Sequence, residues 1–262
     1  MSEGTVSIGS HSFKGVWIGS LPGGAVFGIG VRMKQIMQKA GLSSTALKIV
    51  AITTMLVDHI AATQGISGSG YTIMRGIGRL AFPIFCFLIA EGAVHTRDIR
   101  KYALRLGIFA LISEIPYDLA FKQTIWYPQR QNVFFTLFLG LVVVAFFQWA
   151  KEKPTRLAIW TAAATAAMWG AEWLHSDYGY AGVMLILLFY LLRPLPWWKY
   201  PVIAGVMAFS WHSGLQLYAL LAFPLLWLYS GAKGRGLNKY VFYAFYPGHL
   251  LILWFLQIVQ TS

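Results

Sequence analysis

Of the 262 residues, 57% are hydrophobic, 16% aromatic and only 11% charged, and the mean hydropathy is +0.59. Soluble domains carry about 25% charged residues, so these proportions exclude an ordinary water-soluble fold. The net charge of +12 would suit nucleic acid in a soluble protein, but the basic residues fall between apolar segments. Membrane orientation accounts for them, and no nucleic-acid partner is expected. The single cysteine, Cys86, excludes an internal disulfide, a Cys-based zinc cluster and an iron–sulfur site.

Residues 1–45 hold Gly4, Gly9, Gly15, Gly19, Gly23, Gly24, Gly28 and Gly30, with Pro22 interrupting their apolar stretch. This predicts a weakly ordered cytoplasmic or interfacial arm. It lacks a basic segment ahead of a compact apolar one, so no cleaved signal peptide is expected. From 46 onward, apolar runs approach the ~20 residues that cross ~30 Å of hydrocarbon. The expected fold is all-α, a polytopic transmembrane helical bundle of about nine spans over 46–262, near 46–62, 73–94, 102–120, 133–150, 156–174, 178–194, 197–212, 215–231 and 240–259. The sixth and seventh have the shortest apolar cores and also fit re-entrant helices.

Lys and Arg gather on alternate loops. Fifteen of the twenty-one lie on one side: Lys14, Arg32, Lys34 and Lys39; Arg97, Arg100 and Lys101; Lys151, Lys153 and Arg156; Arg193 and Lys199; Lys233, Arg235 and Lys239. The opposite loops hold Lys122 and Arg130. The positive-inside rule then puts the N-terminus in the cytoplasm and the C-terminus outside.

An ionisable residue in mid-span costs roughly 2.5–3.5 kcal/mol on insertion scales, so it usually faces the bundle interior and marks a working site. This chain places Lys48, Asp58 and His59 in span 1, and Arg75, Arg79 and Glu91 in span 2, which ends at His95. Span 3 carries Arg105, Glu114 and Asp118; Asn132 opens span 4, Glu172 closes span 5, and His249 lies in span 9. Adjacent residues differ by about 100° around a helix, so Asp58 is expected to meet Arg75 or Arg79 rather than to orient His59. Arg105 with Glu91 is the other expected structural pair. Depth separates an outer set, Asp58, His59, Arg75, Arg79, Glu114, Asp118, Asn132, Glu172 and Asp177, from a cytoplasmic set, Glu91, His95, Arg97, Arg100, Lys101 and Arg105. The basic inner cluster suits an anionic, nucleotide-like ligand. Glu91 with His95 lacks a second ligand pair, so no metal is expected.

The run Leu47 to His59, followed by Arg75-Gly-Ile-Gly-Arg79-Leu-Ala-Phe-Pro83 and on to Glu91-Gly92, resembles the TraX family, named for the conjugative F-pilin N-acetylase. The resemblance continues through His95-Thr96-Arg97, Lys101 to Leu106, Ser113-Glu114-Ile-Pro116-Tyr117-Asp118, Asn132-Val133, Asp177-Tyr178-Gly179-Tyr-Ala-Gly182 and Phe242-Tyr243-Ala-Phe-Tyr246-Pro247-Gly-His249-Leu250. It implies an integral acetyltransferase of the bacterial inner membrane, multi-pass, with acetyl-CoA as acyl donor and an amine, peptide or small molecule as acceptor.

Acyl transfer needs a base, oxyanion donors and cations for the CoA phosphates. The expected roles are His59 as base, Asp58 tuning its surroundings, and Arg79, Arg75 and Asn132 as donors toward the thioester oxygen. Arg97, Arg100, Lys101 and Arg105 would hold CoA, with Arg75, Glu91 and His95 also placed on the cofactor side. Glu114, Asp118, Glu172, Asp177, Tyr246 and His249 would receive the acceptor. A transporter or ion-coupled protein using the same buried cluster is the alternative.

Overall fold

The computed structural model describes residues 41–211, 214–236 and 238–261. Most of the expected arm, with Lys14, Arg32, Lys34 and Lys39, lies outside the described residues, as do His11 and His212. The described chain is helical: α1 (Ser44–Thr63), α2 (Gly68–Gly78), α3 (Ala81–His95), α4 (Ile99–Lys122), α5 (Val133–Ala150), α6 (Arg156–Trp173), α7 (Gly179–Leu191), α8 (Lys199–Ser210), a 3-10 helix (Gly214–Leu221), α9 (Ala222–Trp227) and α10 (Lys239–Thr261). Among the described residues there is no strand, only the isolated bridges Leu42–Tyr229 and Gln131–Ser176.

Helix starts follow from local chemistry. The side chains of Ser43, Asp98 and Asn132 accept from the backbone N–H of Ala46, Lys101 and Phe134, satisfying donors that the first helical turn leaves open. The span expected at 73–94 lies within the apolar stretch Gly68–His95, which is interrupted between α2 and α3 at Arg79–Leu80 while both residues keep helical dihedrals. Pro83 explains the break. It has no N–H to give the Arg79 carbonyl, while Arg79 N still closes the last turn of α2 on Arg75 O and Gly76 O, each at 3.2 Å.

Helix α3 is buried over most of its length and packs against α1, α5 and α7; α4 and α10 pack together on one flank and α6 lies against α5 and α7 on the other. The outward faces remain apolar: Leu104, Ile108, Leu111 and Ile115 on α4, and Ile252, Phe255 and Val259 on α10, are all exposed. So large an apolar exterior needs a hydrocarbon solvent. Four stretches, Ser44–Thr63, Gly68–His95, Val133–Ala150 and Tyr240–Gln260, are long and apolar enough to cross a membrane. Helix α4 has the length, at 24 residues, but carries several charges; α7, with 13 residues, rises only about 20 Å.

Candidate active site

The C-terminal half of α1 and the junction between α2 and α3 meet at a buried ion cluster. Asp58 is 6% exposed. It accepts from Arg75 Nη1 at 2.5 Å and from Arg79 Nη2 at 2.7 and 2.9 Å. Arg79 Nη1 reaches on to Gln216 Oε1 at 3.2 Å and the Tyr178 hydroxyl at 3.4 Å. The approach of α2 to α1 depends on Gly78, where any Cβ would fall inside the Asp58 side chain. Asp58 thus meets both arginines that the sequence offered it.

His59, one residue on, turns toward α10. Its Nδ1 lies 2.7 Å from His249 Nε2, and His249 Nδ1 lies 2.7 Å from the Phe245 carbonyl. The two imidazoles are nearly parallel, and Phe121 meets the His59 ring edge-on at 5.2 Å.

Two cavities adjoin here. The small one, about 50 Å³, is lined by Asp58, His59, Arg79, Phe82, Asp177 and Tyr178 among others. The large one, about 740 Å³, opens at the end of the bundle that carries the basic loops, with Lys48, His95, Arg105 and Lys233 in its wall beside Tyr102 and Tyr243. Met55, Phe85, Val133 and Tyr246 line both and form the partition. Lys48 lies close enough to Lys233 for their charges to repel, and Arg105 Nε is buried with no hydrogen-bond partner. A volume in the range of ~300–1,000 Å³ with converging cations suits a phosphorylated ligand of cofactor size.

Several expected site residues do other work. Asn132, fully buried, is the N-cap of α5, and its amide nitrogen donates to Ala110 O at 2.8 Å and Glu114 Oε2 at 2.5 Å. Both amide hydrogens are therefore used, which leaves none for a thioester oxygen. Asp118 accepts from Tyr127 N at 2.7 Å, and Glu172 from Tyr180 N at 2.8 Å. Glu114, Asp118 and Glu172 line neither cavity. Arg75 is spent on Asp58 and is not in the large cavity's wall.

Glu91 does line the large cavity, but its partner is Arg193, at 2.7 Å from Arg193 Nε, rather than Arg105. Arg97, Arg100 and Lys101 are exposed and lie outside that wall, with Lys101 bonded to the Asp98 cap by its backbone. Asp177 stays at the small cavity, paired with Arg130 at 2.8 Å; its carboxylate raises the Arg130 guanidinium above the ordinary arginine value. Among the described residues no group of three His, Cys, Asp or Glu is placed to hold a metal.

Lys48, Lys233, Tyr178 and Gln216 joined the site without being singled out as functional. Lys48 carried a signal, as a lysine inside an apolar span. Lys233 was hidden among the loop charges, and nothing in sequence tells Gln216 from any other polar residue.

Replacing Asn132 by alanine removes a cap and the side-chain donor to Ala110 O and Glu114 Oε2, for a loss of about 2 kcal/mol. Thermal unfolding in detergent should show it, with ligand binding in the large cavity unchanged. An unchanged melting temperature with lost binding would return Asn132 to the site.

These features define a helical membrane protein in which a cation-lined cavity adjoins a smaller one beside a histidine pair, His249 buried and His59 half-buried. The chain belongs to the TraX family: the family model described as TraX protein matches residues 43–257. A probable fimbrial assembly protein FimC (serogroup H1) of Dichelobacter nodosus is 32% identical over 237 residues, covering 80% of this chain and 94% of that protein. An uncharacterised protein of Rickettsia prowazekii is 26% identical over 147 residues, 56% of this chain and 54% of that one. No solved structure matches.

Proposed function

We propose that the protein is an integral membrane acyltransferase that moves acetyl from acetyl-CoA, held in the large cavity, to an amine or hydroxyl acceptor beside His59. In this reading nine spans cross the bacterial inner membrane with the basic loops and the N-terminus in the cytoplasm, so the large cavity faces the cytoplasmic pool of acetyl-CoA.

The observation that carries the reading is the shared wall. A cavity of cofactor size lined by Lys48, Arg105 and Lys233 ends at Met55, Phe85, Val133 and Tyr246, and directly behind them stand His59 and Arg79. The cations hold the donor's phosphates, and the apolar partition grips its thioester arm. His59 takes the proton of the acceptor as the acceptor's nitrogen or oxygen bonds to the acyl carbon. Arg79, whose five N–H groups are engaged by Arg75 O, the Tyr178 hydroxyl, Gln216 and Asp58, contributes its positive charge and not a free donor to the oxygen on which negative charge develops. His59 then returns the proton to the sulfur as the C–S bond breaks, so that thiol and acylated acceptor leave together. The fimbrial-assembly name of the Dichelobacter nodosus relative makes the amine of a fimbrial subunit the first acceptor to offer.

The test is CoA affinity in purified protein. A hydrogen bond to a charged group is worth about 1.5–3 kcal/mol, so Lys48→Ala and Arg105→Ala should each weaken binding about tenfold or more. Arg97→Ala, an exposed position off the cavity wall, should bind as the parent does. If both cavity variants keep full affinity, the donor site is elsewhere.

A further inference from the structure

The contact between His59 and His249 determines where protons sit. A carbonyl oxygen only accepts, so the Phe245 carbonyl, at 2.7 Å, holds a proton on His249 Nδ1. In the neutral ring His249 Nε2 is then an acceptor, and its 2.7 Å contact is made by His59 Nδ1–H donating. This assignment leaves His59 Nε2 with a bare lone pair. His249 follows Phe245 by one helical turn, so the relay is built into α10 itself. The Phe245 ring stacks on His249 at 4.8 Å and Tyr246 meets both imidazoles edge-on, which fixes the ring planes.

Asp58 does not do this work: its carboxylate bonds go to Arg75 and Arg79, and none goes to His59. His249 lines neither cavity, so its sequence-based place among the acceptor-binding residues is exchanged for one behind His59.

We propose that His249, hydrogen-bonded to the Phe245 carbonyl, is a positioning residue that holds His59 in the tautomer whose Nε2 is free to accept the acceptor's proton. The proposal rests on the acyltransfer reading above. Without the His249 acceptor, His59 Nδ1–H loses its partner, the ring is free to carry its proton on Nε2, and a protonated nitrogen is no base.

The experiment pairs His249→Phe, which removes the acceptor, with His249→Gln, whose side-chain oxygen replaces Nε2 as acceptor. Acetyl-CoA turnover is measured on both, and ring-¹⁵N-histidine spectra are recorded for each protein in bilayers. Turnover should fall about 10²-fold or more in His249→Phe with the KM for acetyl-CoA unchanged, and should largely return in His249→Gln. The spectra should place the His59 proton on Nδ1 in the parent and in His249→Gln, and lose that state in His249→Phe. Full turnover in His249→Phe, or no recovery in His249→Gln despite the Nδ1–H state, overturns the positioning role. A parent that turns over with its His59 proton on Nε2 overturns this role alone. A parent that shows the Nδ1–H state but transfers no acyl group takes down the acyltransfer reading with it.

Discussion

Replacing Asp58 with alanine is expected to destabilise the protein by about 3–5 kcal/mol, the largest stability effect of any single change in the site. The carboxylate is enclosed and paired to two guanidinium groups whose side chains are only 19% and 13% exposed, Arg75 and Arg79 respectively. Removing it leaves two cations facing each other in a region that water hardly reaches. The cost is dominated by those uncompensated charges and not by the lost contacts themselves. Asp58→Asn should be nearly as harmful, because the new amide turns donors toward donors. Asp58→Ala combined with Arg79→Leu should recover part of the loss, since one stranded charge is gone. Thermal unfolding in detergent reads all three. A single Asp58→Ala variant that melts with the parent would mean that the cluster is hydrated and does not tie α1 to the α2–α3 junction.

Replacing His59 with alanine should have the opposite profile. His59 is half-buried and makes one hydrogen bond through its ring, to His249, so its loss is mild for the fold. Turnover, however, should fall by about 10²–10⁴-fold, the usual contribution of a positioned general base. CoA affinity should be preserved, since His59 is not in the wall of the large cavity. Asp58 and His59 are neighbours in sequence, yet one is expected to be a stability residue and the other an activity residue. The helix sends them to different partners, and that divergence separates the roles.

The helical class and the positions of the four stretches long and apolar enough to cross a membrane were legible because each rests on an apolar run bounded by polar loops. The span expected at 73–94 lies inside the one apolar stretch Gly68–His95, and the interruption within it falls where Pro83 withdraws one hydrogen bond from the residue four before it. The pairing of Asp58 with Arg75 and Arg79 was legible from the cost of burying any of them alone. What sequence could not supply was the division of the remaining polar residues between capping and the cavity. Asn132, Glu114 and Asp118 each accept from a backbone N–H, Asn132 also donates to Glu114, and their residue types would suit either use. Arg97, Arg100 and Lys101 sit on the basic side with Arg105, but only Arg105 lies on the inward face of α4; a loop charge and a cavity charge look alike until helix phase is known. His249 was found by its position inside a span, while its partner depended on how α10 packs against α1.

The measurement that tests the central claim most directly is acyl transfer by the purified protein in detergent, supplied with acetyl-CoA and a panel of amine and hydroxyl acceptors that includes a fimbrial subunit, with His59→Ala alongside. The account predicts acceptor-dependent release of CoA that disappears in His59→Ala while that variant still binds CoA. Turnover retained by His59→Ala, or a parent protein that neither binds CoA nor releases it with any acceptor, would contradict it.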